Sequence, residues 1–137
     1  MALQKSVALR NAQLDSWETV IGPDPVIKIF TGSQPANVAA ADSGTKLAEM
    51  TLPTDWMAAA SGGTKAKSGT WEDPAADASG DAGYWRLYED DGTTCHAQGS
   101  VTASGGGGQM ELQQANVAIV AGQKVTVSSF TLTAGGA

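Results

Sequence analysis

His96 is the one histidine in the chain, so any catalytic set that uses an imidazole must run through it. Cys95, the one cysteine, stands beside it. A thiol next to an imidazole suggests a nucleophile and its base. The surrounding "CHAQGSVT" alternates as a strand, however, and neighbouring strand residues face opposite sides of a sheet. One His and one Cys also cannot supply the four ligands of a zinc site within one chain. "YEDDGTT" gathers Glu89, Asp90 and Asp91 ahead of a glycine, and three carboxylates could help hold calcium. The alternating oxygen ligands and final Glu of an EF-hand loop are missing, so the segment reads as a solvated hairpin tip. Asp42, Asp55, Glu72, Asp73, Asp77 and Asp81 are carboxylates of the kind that hydrolyse glycosides. Every acidic loop offers such groups, and they mark no site. No catalytic residue, metal or cofactor is expected.

Four consecutive glycines, Gly105 to Gly108, lie in "TASGGGGQMEL". A phosphate-cradling loop would continue into Lys and Ser/Thr and then a helix, and neither follows. Ordering each glycine costs up to about 1 kcal/mol relative to alanine. The segment reads as a flexible hairpin tip or a bulge between strands.

Trp17, Trp56, Trp71 and Trp85 admit three roles: core anchors, interface anchors or sugar-stacking platforms. Trp85, alternating with Leu87, reads as core. Trp56 and Trp71 sit in or beside loops and are less determined. Trp56-Met57 is the first choice for an intersubunit contact, because Trp and Met are enriched at interfaces. The candidate interface set is Val7, Leu14, Trp17, Trp56, Met57 and Trp71. For sugar stacking the candidates are Trp56, Trp71, Tyr84 and Tyr88.

The elements that position these residues follow from periodicity. Val7, Leu14, Trp17, Val20 and Ile21 approximate one helical stripe over Lys5 to Val20, and "GPDP" at Gly22 to Pro25 stops it. After the break the period changes to two. "VIKIF", "TKLAEMTL", "TKAKSGTW", "YWRLYED", "CHAQGSVT", "QMELQ", "VAIVAG" and "KVTVSSFTLT" read as strands separated by turn signals. "TDWMAAASGG" reads as a short helical turn capped by Thr54 or Asp55. Lys65 and Lys67 lie two apart on one face of a strand, a device that blunts a sheet edge. Asp91-Gly92 reads as a hairpin turn. In the last strand Val125 and Val127 share one parity while Phe130 and Leu132 share the other, so a β-bulge at Ser128-Ser129 is expected. The whole is expected to be mainly β: an antiparallel sandwich or jelly-roll-like barrel of seven to eight strands with one N-terminal helix. A single domain spans 1–137, with the helix in 1–22 and the sandwich in 26–133.

Only 16% of the 137 residues are charged and the net charge is −6, with the basic residues scattered. An acidic chain repels phosphate backbones, so nucleic acid is not an expected partner. No segment approaches 18 apolar residues, so no membrane span is expected, and the N-terminus does not read as a signal peptide.

The stretch "PANVAAADSGTKLAEMTLPTDWMAAASGGTKAKSGTWED", then "GYWRLYEDDGTTCHAQGSV" and the closing "GQKVTVSSFTLT", resembles small proteins encoded near the head and tail genes of tailed bacteriophages. The resemblance covers about Leu14 to Thr133 and carries no functional residues with it. It implies a virion-associated structural protein, made in the host cytoplasm. Its partners would be other virion proteins, a major capsid protein or a neck or tail protein, and it would self-associate as a homo-oligomer. Capsid decoration or cementing is the favoured station; a neck, tail or fibre station is the alternative. A carbohydrate- or receptor-binding module is a second class, and a hydrolase built on loop acids is a third.

Overall fold

The computed structural model describes residues 2–137 and shows a mainly β protein with one N-terminal helix. Helix α1 spans Val7–Ile21 and is followed by strands β1 (Val26–Thr31), β2 (Lys46–Thr51), β3 (Thr64–Ala66), β4 (Glu72–Asp73) and β5 (Gly80–Tyr88). Strands β6 (Cys95–Thr102), β7 (Met110–Leu112), β8 (Ala118–Ile119) and β9 (Val125–Thr133) complete it. Seven strands form one hydrogen-bonded path, β2-β1-β5-β6-β7-β9-β3, with β4 added to β9 and β8 to β5. "TDWMAAASGG" forms no helix. Met57 bridges Lys67 there instead, so the segment is extended.

The sheet is mixed rather than wholly antiparallel. β6 and β7 run parallel through Val101↔Met110 and Thr102↔Glu111. A parallel pair ordinarily needs a crossover of a dozen or more residues. Here the glycine run turns the chain back within 103–109, so it is neither a hairpin tip nor a bulge. Gly105 and Gly107 take positive φ (80° and 81°), a region open to glycine at little steric cost. Their N–H groups donate to the two oxygens of Glu111 at 2.9 and 3.2 Å. The loop is therefore wrapped around a carboxylate of its own chain.

The bulge in the last strand is where the parity break puts it. Ser129 pairs with Glu111 and Val127 with Leu112, leaving Ser128 unpaired between them. Val125, Val127, Phe130 and Leu132 are all buried as a result.

One face of the sheet carries the core. Ile27, Ile29, Met50, Trp85, Leu87, Met110, Leu112, Val127 and Phe130 form one cluster with Leu14 and Ile21 of α1. Each such side chain contributes roughly 1.5–3 kcal/mol by leaving water. Trp56, Trp71, Phe130 and Trp85 run through this cluster as a chain of rings, with successive centroids 6.2, 5.0 and 5.0 Å apart.

The other face is covered too, with Phe30 stacked on Tyr84 (centroids 5.0 Å apart) beside a polar pit. Arg86 is buried there under the 32–45 segment. Its guanidinium donates to Asp42 Oδ1 (3.1 Å), Ala40 O (2.8 Å), Asn37 O (3.1 Å) and Gln98 Oε1 (3.1 Å). Tyr88 donates to the same Asp42 oxygen at 2.7 Å and Tyr84 to Ser43 O at 2.6 Å. Burial, then the bond to Asp42, pushes the Tyr88 phenol above its ordinary range. Four of the five Arg86 N–H groups and both phenol hydroxyls have acceptors, so the pit pins the 32–45 segment onto the sheet.

Candidate functional site

The helix turns most of the apolar stripe to the sheet and adds Arg10 to it. Arg10, Leu14 and Ile21 are buried and Trp17 is half-buried, at spacings of 4, 3 and 4 residues. Val7 continues this line but is 48% exposed in the first turn, and Val20 lies off it at 62% exposed. Arg10 takes the place expected of an apolar residue because its stem packs and its head reaches the glycine at 63. The helix begins at Val7, with Ser6 Oγ capping Leu9 N at 3.1 Å.

Four polar contacts fix α1 in place. Lys65 Nζ donates to Asp15 Oδ1 and Glu18 Oε1, both at 2.7 Å. Asp15 Oδ1 also accepts from Ala60 N (3.0 Å), and Asn11 Oδ1 accepts from Gly63 N (2.9 Å). The Lys65 hydrogen bond, then the Ala60 one, holds the Asp15 carboxyl below its ordinary value. Burial pulls the Lys65 ammonium down, but the bonds to Asp15 and Glu18 outweigh it and its pKa stands raised. β3 is an edge strand, as expected, yet Lys65 does not blunt that edge toward water. It points inward, fully covered, and ties the helix to the strand.

Between α1 and the sheet a cleft of about 380 Å³ remains open. Lys5, Gln13 and Trp17 line it from the helix side, Trp85 from β5, Gln109 from the turn before β7, and Leu132 and Thr133 from β9. Trp85 Nε1 is buried away from solvent with no hydrogen-bond partner among the described residues, whereas Trp56 Nε1 and Trp71 Nε1 donate to Gly22 O and Ser68 O, each at 3.1 Å. The Trp85 ring lies flush on Gly99, where a Cβ would come within 2.8 Å of it. Gln98 also borders the cleft, but its carboxamide is taken by Arg86 Nε and Pro35 O.

On the far side of Trp17 a smaller recess of about 190 Å³ is lined by Ser16, Val20, Ile21 and His96. His96 Nε2 meets Glu89 Oε2 at 2.7 Å. Ser16 Oγ donates to Gln13 O at 2.6 Å, so its proton is held by the helix backbone rather than by His96. Cys95 pairs with Tyr88 on the strand, and burial pushes its thiol up, away from a reactive thiolate. Asp91 is consumed by its own turn, accepting from Thr93 N, Thr94 N and Thr94 Oγ1. These bonds, the Thr94 hydroxyl first, hold its carboxyl far below the usual range. Among the described residues no three His, Cys, Asp or Glu groups cluster to hold a metal.

The candidate contact residues divide. Trp56, Met57 and Trp71 are 1%, 2% and 0% exposed and belong to the core, because the aromatic chain closes over them. The choice of Trp56-Met57 as an intersubunit contact is therefore corrected. Leu14 is buried too, under the helix. Tyr84 and Tyr88 are covered by the 32–45 segment, so the four sugar-stacking candidates are all inaccessible. Val7 and Trp17 remain at the surface. Leu3 and Leu9, which sequence reading passed over, are exposed on the same arm and helix. The pairing of Lys5 N with Gly136 O at 2.6 Å brings the C-terminal segment to the same region. No local motif marks Lys5, Gln13, Gln109 and Thr133 as neighbours; only the fold assembles them.

Comparison with known proteins finds no matching family model, no similar curated protein and no matching solved structure.

Proposed function

We propose that the chain is a structural accessory protein of a tailed-bacteriophage virion, with capsid decoration or cementing as its station. It works by repeated non-covalent contacts rather than by chemistry. One observation carries the reading. Of the six large apolar side chains exposed among the described residues, four (Leu3, Val7, Leu9 and Val20) lie on the N-terminal arm and helix. This concentration of exposed apolar side chains makes the arm and helix the part of the molecule offered to a protein partner. The aromatic core and the Arg86 pit supply a rigid body behind it. A homo-oligomer seated on symmetric sites would present this region to each neighbour in turn.

The test uses particles that lack the protein. Purified chain is expected to co-sediment with such particles, and Leu3→Ser/Val7→Ser/Leu9→Ser is expected to lose most of that binding while folding normally. Failure of the intact chain to associate with particles, together with its absence from native virions, overturns the proposal. Label found at the neck or tail in native virions overturns the capsid station.

A further inference from the structure

The cleft between α1 and the sheet has the chemistry of a small-molecule site, independent of any virion role. Its volume falls in the range of ligand pockets, roughly 300–1,000 Å³. Its lining is unusual for this protein. No Asp or Glu lines it, although the chain carries 14 acids and a net charge of −6. Lys5 is its one charged residue. Lys5 Nζ donates to Gln13 Oε1 at 3.0 Å, a neutral amide, and has no carboxylate in ion-pair range among the described residues. An ammonium has three donors, so two stay available.

The other groups add to this excess of donors. The Gln13 Nε2 amide, the Gln109 carboxamide and the Thr133 hydroxyl make no side-chain hydrogen bond as donors among the described residues. Trp17, half-buried at the cleft margin, is the one tryptophan with ring surface still to cover. The matching ligand is rich in acceptors, carries one negative charge and has a ring with an apolar face. A sugar acid meets all three requirements. Its C–H face stacks on an indole while its hydroxyls and carboxylate take the amides and the ammonium.

We propose that this cleft binds a carboxylate-bearing saccharide, with the carboxylate at Lys5, the ring face on Trp17 and hydroxyls toward the Gln13 and Gln109 amides. The carbohydrate role moves thereby from the buried Trp56, Trp71, Tyr84 and Tyr88 to a site none of them lines.

Glucuronate, glucose and acetate are the probes, used with the full chain in saturation-transfer NMR and calorimetry. Glucuronate is expected to bind with transfer strongest at its ring protons, and glucose and acetate to bind at least about tenfold more weakly. Lys5→Met is expected to weaken glucuronate about tenfold or more, the scale of one charge-assisted hydrogen bond. Trp17→Ala should abolish ring transfer. Because Trp17 also packs on the core, Gln13→Ala at an exposed position serves as a second variant and should weaken binding without altering the fold. Absence of glucuronate binding at millimolar concentration overturns the proposal. So does equal binding of acetate, or glucuronate affinity unchanged in both Lys5→Met and Gln13→Ala.

Discussion

At Gly99 the sheet has no room for a methyl group. A Cβ there would lie 2.8–2.9 Å from Cζ2, Cε2 and Nε1 of Trp85, against a ring already fixed by Phe130 at 5.0 Å. Gly99→Ala is expected to destabilise the protein by about 1–3 kcal/mol through forced displacement of that ring. Urea unfolding measures it, and a change within error of zero refutes the packing argument. Asp15 gives a second expectation at the same scale. Its carboxyl is depressed in the folded state by the hydrogen bond from Lys65 first and by the Ala60 N–H next. A depressed carboxyl adds stability above its unfolded value, and that stability is lost as pH falls through the folded one. Stability of the natural chain should therefore fall more steeply below about pH 4 than that of Asp15→Asn, with the two curves converging at the acid end. Unfolding midpoints measured from pH 7 to pH 2 check this, and parallel curves refute it.

At the scale of elements, the loop from Ala103 to Gln109 depends on one side chain. Glu111 accepts from two glycine N–H groups, and Thr102 Oγ1 accepts from a third at Gly108 (3.2 Å). Glu111→Ala is expected to cost about 1–2 kcal/mol and to speed amide exchange at Gly105 and Gly107. Exchange unchanged at both glycines would show that the loop holds its shape without the carboxylate. Which elements can be read from sequence follows from the same local physics. The bulge at Ser128 was legible, because a parity break inside an apolar strand has one cheap solution. The parallel pair of β6 and β7 was not, since a short glycine-rich connection has the same composition whether it closes a hairpin or turns back on itself. The helix face was misread at Arg10, whose long apolar stem occupies a position that a hydropathy pattern reserves for Leu or Val. Trp17 was legible as a surface candidate. The rest of the cleft was not: Lys5, Gln13, Trp85, Gln109 and Thr133 come from well-separated parts of the chain and share no spacing.

For the whole molecule, the strand order sets up an uneven sheet. β1 and β5 share six paired positions, from Val26↔Tyr88 to Thr31↔Ala82, while β6 and β7 share only Val101↔Met110 and Thr102↔Glu111. That short parallel contact is the sole strand pairing that joins the β2-β1-β5-β6 ribbon to the β7-β9-β3 ribbon. Core side chains, α1 (through Lys65 on one side and Leu14 on the other) and the bond from Glu49 N on β2 to Asp73 Oδ2 on β4 (2.9 Å) hold the two together elsewhere. In mechanical terms the sheet has a seam. Tension applied across it loads two rungs, whereas the same tension across β1 and β5 is spread over six. The first cooperative opening under mild denaturant should part the ribbons along this line. Native-state hydrogen exchange is then expected to release the Met110 amide, which faces β6, well before those of Ile27 and Leu87. The fold would behave as two plates riveted by a helix, stiff within each plate and compliant between them.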